Sequence, residues 1–377
     1  MRPFLLNVLI VLSLWGCSQG SKQNAVVKDT NKIVEQRAFD TLLTDVSLFL
    51  SGNKMFKPTA CHGNDTTRAY VEYKQLLDSL WSYAVRTNIN PMKTWASTYL
   101  PEGKQDSGKL FYPFGGPDIL YPFVFFPSMK KYLLFGLEPV GKLVDFTEKL
   151  SKNFYYGLLV NLQSALRKNF FRTIDMTKYF ALQKDEGTLT IALLYCGLTK
   201  HKILSLHFIQ LLPDGKEKLI PYEQCSIPKP DGFCLKVMDS TGRIQEFDYF
   251  SVNVINDKLI QSPFYAYLRN LDSNWNGMTK AASYLMQFEH FTLIRDIFLS
   301  KIKLLLTDDT GVDYSLIKKH FSSVQLFGFY HPPISEFSYI KQKELQEDYK
   351  TQQVIPIVFR YGYGKGKKLI LAKNKIS

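Results

Sequence analysis

The sequence predicts an α+β fold in a single compact domain: N-terminal helices, a central mostly antiparallel sheet and a mixed C-terminal third. Three observations carry that expectation. Apolar residues recur at 3–4 spacing before residue 85, then at alternate positions between residues 203 and 254, and the last third mixes both without regular strand–helix alternation. The 377 residues, 45% hydrophobic and 21% charged, are enough to bury a large core. No repeat and no Pro/Ser-rich linker divides residues 33–377.

The elements follow in order. A first helix carries Phe39, Leu42, Leu43, Val46, Phe49 and Leu50 on one stripe, and Ser51–Gly52–Asn53 stops it. A second, capped by Asp65 or Thr66, turns Tyr73, Leu76, Leu77, Leu80, Trp81 and Ala84 inward. From Leu110 the texture changes to Phe111–Tyr112–Pro113–Phe114–Gly115–Gly116–Pro117–Asp118 and then Tyr121–Pro122–Phe123–Val124–Phe125–Phe126–Pro127. Proline and glycine break regular structure while the aromatics demand burial, so this loop is either locked into the core or lines a cleft. Residues 132–138 read as a buried strand, 145–168 as a helix and 175–182 as a shorter one, with 189–198 open between helix and strand. Strands follow at 203–212, 233–238 and 243–254, separated by Pro213–Asp214–Gly215–Lys216 and Asp239–Ser240–Thr241–Gly242 turns. Helices at 264–271 and 288–302, a strand at 303–306, a strand at 324–330, a helix at 337–349 and a hairpin of 354–360 with 368–372 complete the chain.

The N-terminus speaks to location. A basic start at Arg2, an apolar run from Phe4 to Leu14 and the sequence Leu14–Trp15–Gly16–Cys17 read as a secretory signal over residues 1–16, too short to span a bilayer of roughly 20 helical residues. Cysteine after a small residue, with leucine three places before it, resembles the lipobox of bacterial lipoproteins. That resemblance implies lipidation of Cys17, a flexible tether over residues 17–32 and a bacterial envelope location, with Ser18 favouring the outer membrane. Membrane contact is then through the lipid anchor. The net charge of +13 comes from scattered lysines. Behind an export signal it suits an anionic membrane surface or acidic glycan and excludes nucleic acid as the expected partner.

Beyond Cys17, four cysteines remain: Cys61, Cys196, Cys225 and Cys234. Gly232 and the prolines between Cys225 and Cys234 let the chain double back, so these two are expected to form a disulfide, leaving Cys61 with Cys196. No Cys-x-x-Cys or neighbouring histidine completes a zinc set, and no cofactor or metal is expected.

Two stretches resemble a group of bacterial exported proteins and lipoproteins with no assigned function. These are Phe111–Asp118 with Phe125–Phe126–Pro127 and Gly136–Leu137–Glu138–Pro139, and Lys280–Met286 with Asp308–Tyr314. The group carries them as FYPFSGPD, KSASYLM and DDSGIPY; here Gly115 replaces the serine and Asp313 the proline. The resemblance implies a location and no activity.

The chain has no Gly-x-Ser-x-Gly elbow, His-Glu-x-x-His or phosphate-binding loop. Gly362–Tyr363–Gly364–Lys365–Gly366 reads as a β-turn. His201 and His207 are too far apart along a strand to share a metal. The carboxylates are the better candidates. Asp118 follows a Gly-Gly-Pro bend, and Asp308 and Asp309 close a strand, which are places where general acid–base pairs for glycan hydrolysis sit. The competing reading makes them caps and turn formers. The expectation is thus a lipid-anchored envelope protein that binds a partner protein or a cell-wall or surface glycan, with an envelope hydrolase using Asp118 and Asp308 or Asp309 as the alternative.

Overall fold

The computed structural model describes residues 39–53, 68–100, 108–144, 150–168, 187–227, 229–333, 340, 342–362 and 368–374. Cys17, Cys61, the caps Asp65 and Thr66, the helix expected at 175–182 and the glycine-rich turn beyond Gly362 lie outside them.

Among the described residues ten strands form one mixed sheet in an α+β fold: β1 (Lys109–Tyr112), β2 (Lys131–Gly136), β3 (Lys202–Leu211), β4 (Glu217–Pro221), β5 (Gly232–Met238), β6 (Ile244–Ser251), β7 (Trp275–Met278), β8 (Ile302–Thr307), β9 (Ser323–Gly328) and β10 (Lys368–Lys373). Their order is β4-β3-β5-β6-β2-β1-β7-β8-β10-β9. Five of the nine pairings are antiparallel, and these form the two flanks. The four parallel ones are contiguous in the middle, running β6-β2-β1-β7-β8.

Successive side chains of the central strands are buried on alternate faces, so each face has its own core. Leu110, Tyr112, Leu134 and Leu306 point to one face, where α1 (Thr41–Leu50), α2 (Arg68–Ala84), α3 (Asn90–Tyr99), α4 (Leu120–Phe125), α5 (Lys152–Gln163) and α6 (Thr188–Leu198) cover them. Phe111, Leu133, Phe135 and Leu305 point to the other face, under α7 (Asn256–Leu259), α8 (Pro263–Asn270), α9 (Thr292–Lys301) and α10 (Tyr314–His320). A last helix, α11 (Lys343–Thr351), packs Leu345 and Tyr349 on Leu326 and Ile370.

Two aspartates that the sequence reading did not single out cap helices. Asp40 Oδ1 accepts from the Leu43 N–H at 2.9 Å to start α1, and Asp313 accepts from Ser315 at the same distance to start α10. The ambiguous 189–198 segment is helix α6, buried on every side. Three details differ from the sequence reading. Leu76 points outward at 58% exposure. The expected hairpin at 354–360 is a single bridge from Ile355 to Phe327 among the described residues. The third is the disulfide: Cys225 and Cys234 are free thiols. The register of β5 puts Cys234 in the second-face core, whereas Cys225 packs against the first. A sheet separates two sulfurs that a disulfide would need within bonding reach.

The five parallel strands, counted in chain order, lie as 3-2-1-4-5. Their connections cover one face from β1 to β6 and the other from β6 to β8, so the winding direction changes between β1 and β7. In open sheets of this kind, ligand sites gather outside the carboxyl ends of the strands at that point.

Candidate functional site

The carboxyl ends of β1, β2, β7 and β8 carry Asp118, Glu138, Lys280 and the Asp308–Asp309 pair. After β1 the chain turns sharply through Phe114 and Gly116, both at positive φ (58° and 53°). Phenylalanine rarely adopts that conformation, so the turn is strained and held by its surroundings. Glu138, on the loop after β2, lays its carboxylate on this turn: a Cβ at Gly116 would lie 3.1 Å from its Oε2, and one at Gly136 would overlap it.

Asp118 stands just before α4, whose flanking residue is Ile119, and its carboxylate takes a bond from the Tyr121 backbone in the first turn. It lies 2% exposed beneath the turn, where its Oδ2 accepts from the Tyr112 hydroxyl at 3.0 Å and lies 2.7 Å from Lys280 Nζ. Lys280 sits two residues past β7, before Ala281 at φ 52°. Its ammonium is 3.2 Å from the centre of the Tyr121 ring. Ser283 ties the two segments together: its Oγ donates to Pro113 O at 3.1 Å and accepts from the Lys280 N–H at 3.3 Å.

Burial decides the charges. It pushes Asp118 above the usual carboxylate range, with Lys280 opposing. It pulls Lys280 down to about 8, against the pull of Asp118 and Asp308. Asp308, 1% exposed, is pushed up to about 7 by burial and by neighbouring Asp309. Its Oδ1 accepts from the Thr310 N–H at 2.9 Å and the Thr310 hydroxyl at 2.5 Å, so the turn-forming role is real. Gly362, at φ 70°, presses its backbone on Asp308 Oδ2, where any Cβ would overlap. Asp309 pairs with buried Lys368, whose ammonium also donates to His331 O at 2.6 Å.

The three aspartates therefore meet in one region, since Lys280 feels both Asp118 and Asp308, but they meet as a buried cluster in which Asp118 and Asp309 are paired with lysines. None of them lines the open cavity of about 340 Å³ found on the first face. That cavity lies between α3, the end of the aromatic loop and the β5–β6 turn, and is lined by Phe123, Phe125, Pro127, Lys93, Thr241 and Arg243, among others. The aromatic loop thus does both things its composition allowed: most of it is core, and its end forms a cavity wall.

The wall is pre-formed. His201 stacks on Phe123 with ring centres 4.2 Å apart, and its two nitrogens meet Thr199 Oγ1 at 2.7 Å and Gln245 Oε1 at 3.1 Å. Burial drops its pKa to about 4, so it is neutral at ordinary pH. Gln245 in turn donates to Pro127 O and to the Tyr132 hydroxyl, both at 2.8 Å. At the rim Arg243 Nε holds Asp239 at 3.1 Å and Thr241 at 3.0 Å, while Lys93 and Ser240 are exposed.

A third cluster joins Cys234, Glu246 and Asp248, whose ligand-type atoms lie within 4.8 Å of one another. Its cation is Lys131, at 2.9 Å from Glu246 and 2.6 Å from Asp248. Burial pushes the Cys234 thiol far up, so it stays protonated.

Sequence reasoning missed Lys280 and Glu138 as partners, although both stand in the stretches that carry the resemblance. It missed the cavity rim as well, because Asp239–Ser240–Thr241–Gly242 reads as an ordinary turn. Searches with the whole chain find no protein family whose model matches it and no curated protein that resembles it.

Proposed function

We propose that this is a lipid-anchored bacterial envelope protein that binds a small polar ligand, a fragment of cell-wall or surface glycan, in the first-face cavity without cleaving it. The observation that carries the reading is the cavity itself. Its volume falls in the range of small-ligand sites, and it joins an apolar wall, backed by Phe123 and Phe125, to a hydrogen-bonding rim, as small-ligand sites do. Hydrolysis is less well supported. Asp118, Asp308 and Asp309 are at most 5% exposed, and Asp118 and Asp309 have lysine counter-ions. A polymer cannot reach them, and glycan hydrolysis needs its carboxyl pair to flank the bond.

Calorimetric titration with soluble cell-wall and surface oligosaccharides tests the binding. Ser240→Trp places a large ring at the cavity mouth from an exposed position. It is expected to weaken binding at least about tenfold, or ~1.4 kcal/mol, at an unchanged melting temperature. Equal affinity in wild type and variant would remove the cavity from the account.

The anchor is tested separately by fractionating cells that make wild type or Cys17→Ala. Wild type should stay with membranes and take up labelled fatty acid, because several acyl chains anchor stably where one is marginal. The variant should do neither. Identical behaviour of the two proteins would refute the anchor.

A further inference from the structure

We propose that Lys280 and Asp118 join in an amide bond, an intramolecular cross-link between the carboxyl ends of β7 and β1. The two side chains are 1% and 4% exposed, and Lys280 Nζ lies 2.7 Å from Asp118 Oδ2. At that distance the ammonium is nonetheless outside hydrogen-bonding alignment with any acceptor. Here the nitrogen is held beside the carboxyl group by the Tyr121 ring and by the Ser283 bonds that lock the two backbones together.

The step balances without any added reagent. Burial disfavours both charges and so favours the form that reacts, a neutral amine beside a carboxylic acid, reached when the ammonium proton passes to the carboxylate. The Nζ lone pair attacks Cγ. As the Nζ–Cγ bond forms, charge develops on Oδ1, and the Tyr112 hydroxyl, which already donates to Oδ2, helps that oxygen leave. One Cγ–O bond then breaks, a proton leaves Nζ for the departing oxygen, and water is lost. That transfer is direct, because Nζ and Oδ2 are 2.7 Å apart. Fixed geometry supplies what an unactivated amine and acid lack in solution, where effective concentrations in oriented pairs reach about 10⁵–10⁸ M. The product replaces two buried charges by a neutral amide and closes a loop of more than a hundred residues.

The test is peptide mapping by mass spectrometry of the full-length protein purified from bacteria, digested after denaturation. The expected result is a branched peptide that joins the segments holding Asp118 and Lys280 and is one water lighter than their sum. Lys280→Arg should give only the linear Asp118 peptide. Linear wild-type peptides with free Asp118 and free Lys280, or water lost at another pair of residues, would overturn the proposal. Because wild type alone decides it, a variant that fails to fold does not rescue it.

Discussion

Asp118→Ala should be the most damaging single change in the sheet, lowering unfolding free energy by about 3–5 kcal/mol. The loss comes from what the change leaves behind: Lys280, fully enclosed against Tyr121, without its adjacent counter-ion. Lys280→Met should be comparably harmful, because it strands the Asp118 carboxyl. The double variant should be more stable than either single one, since it removes both charges together. Any stability it still lacks relative to wild type is the share of a covalent link. Urea denaturation of the four proteins measures this. Single variants that unfold like wild type, or a double variant whose loss is the sum of the two, would contradict the buried-pair description.

Asp308→Asn should act in the opposite direction and only at high pH. The Asp308 carboxyl titrates near 4 when unfolded and at about 7 in the fold, because burial and Asp309 both disfavour its charge. A carboxyl raised in this way contributes stability that is complete below pH ~4 and is lost as pH rises through about 7. Asparagine keeps the Oδ1 acceptor for Thr310 and carries no charge. The variant should match wild type at pH 4.5 and exceed it by about 2–4 kcal/mol at pH 8.5. Lys280, linked to Asp118 or free, is in the same state in both proteins, so its own contribution largely cancels. An asparagine variant less stable than wild type at pH 8.5 would show that Asp308 is not held against its charge.

What the sequence made legible follows from periodicity. Amphipathic helices such as α1 and α8, and the meander β3, β5 and β6, were readable because each buries one stripe or one face. The short parallel strands β1 and β7 were not. Buried on both sides, Lys109–Tyr112 and Trp275–Met278 show no polar alternation to count. Strand β4 was missed for the opposite reason, since an exposed edge needs little apolar sequence. Without β1 and β7 the 3-2-1-4-5 order is invisible, and with it the reason Asp118, Lys280 and Asp308 converge. The aspartates themselves were found, because loop bends and strand ends are readable locally. Their lysine partners are about 60 residues or more away in sequence. The disulfide expectation failed at the same level: spacing shows that Cys225 and Cys234 can approach, but only strand register decides which face each side chain takes.

The central claim is that the open cavity, and not the aspartate cluster, receives ligand. A crystal of the protein soaked with a soluble cell-wall disaccharide, examined by difference density, tests it most directly. The account predicts an intact sugar between Phe123 and the Asp239–Arg243 rim, with no density at the carboxyl ends of β1 and β8. A sugar against Asp118 and Asp308, or a cleaved product at either place, would contradict it.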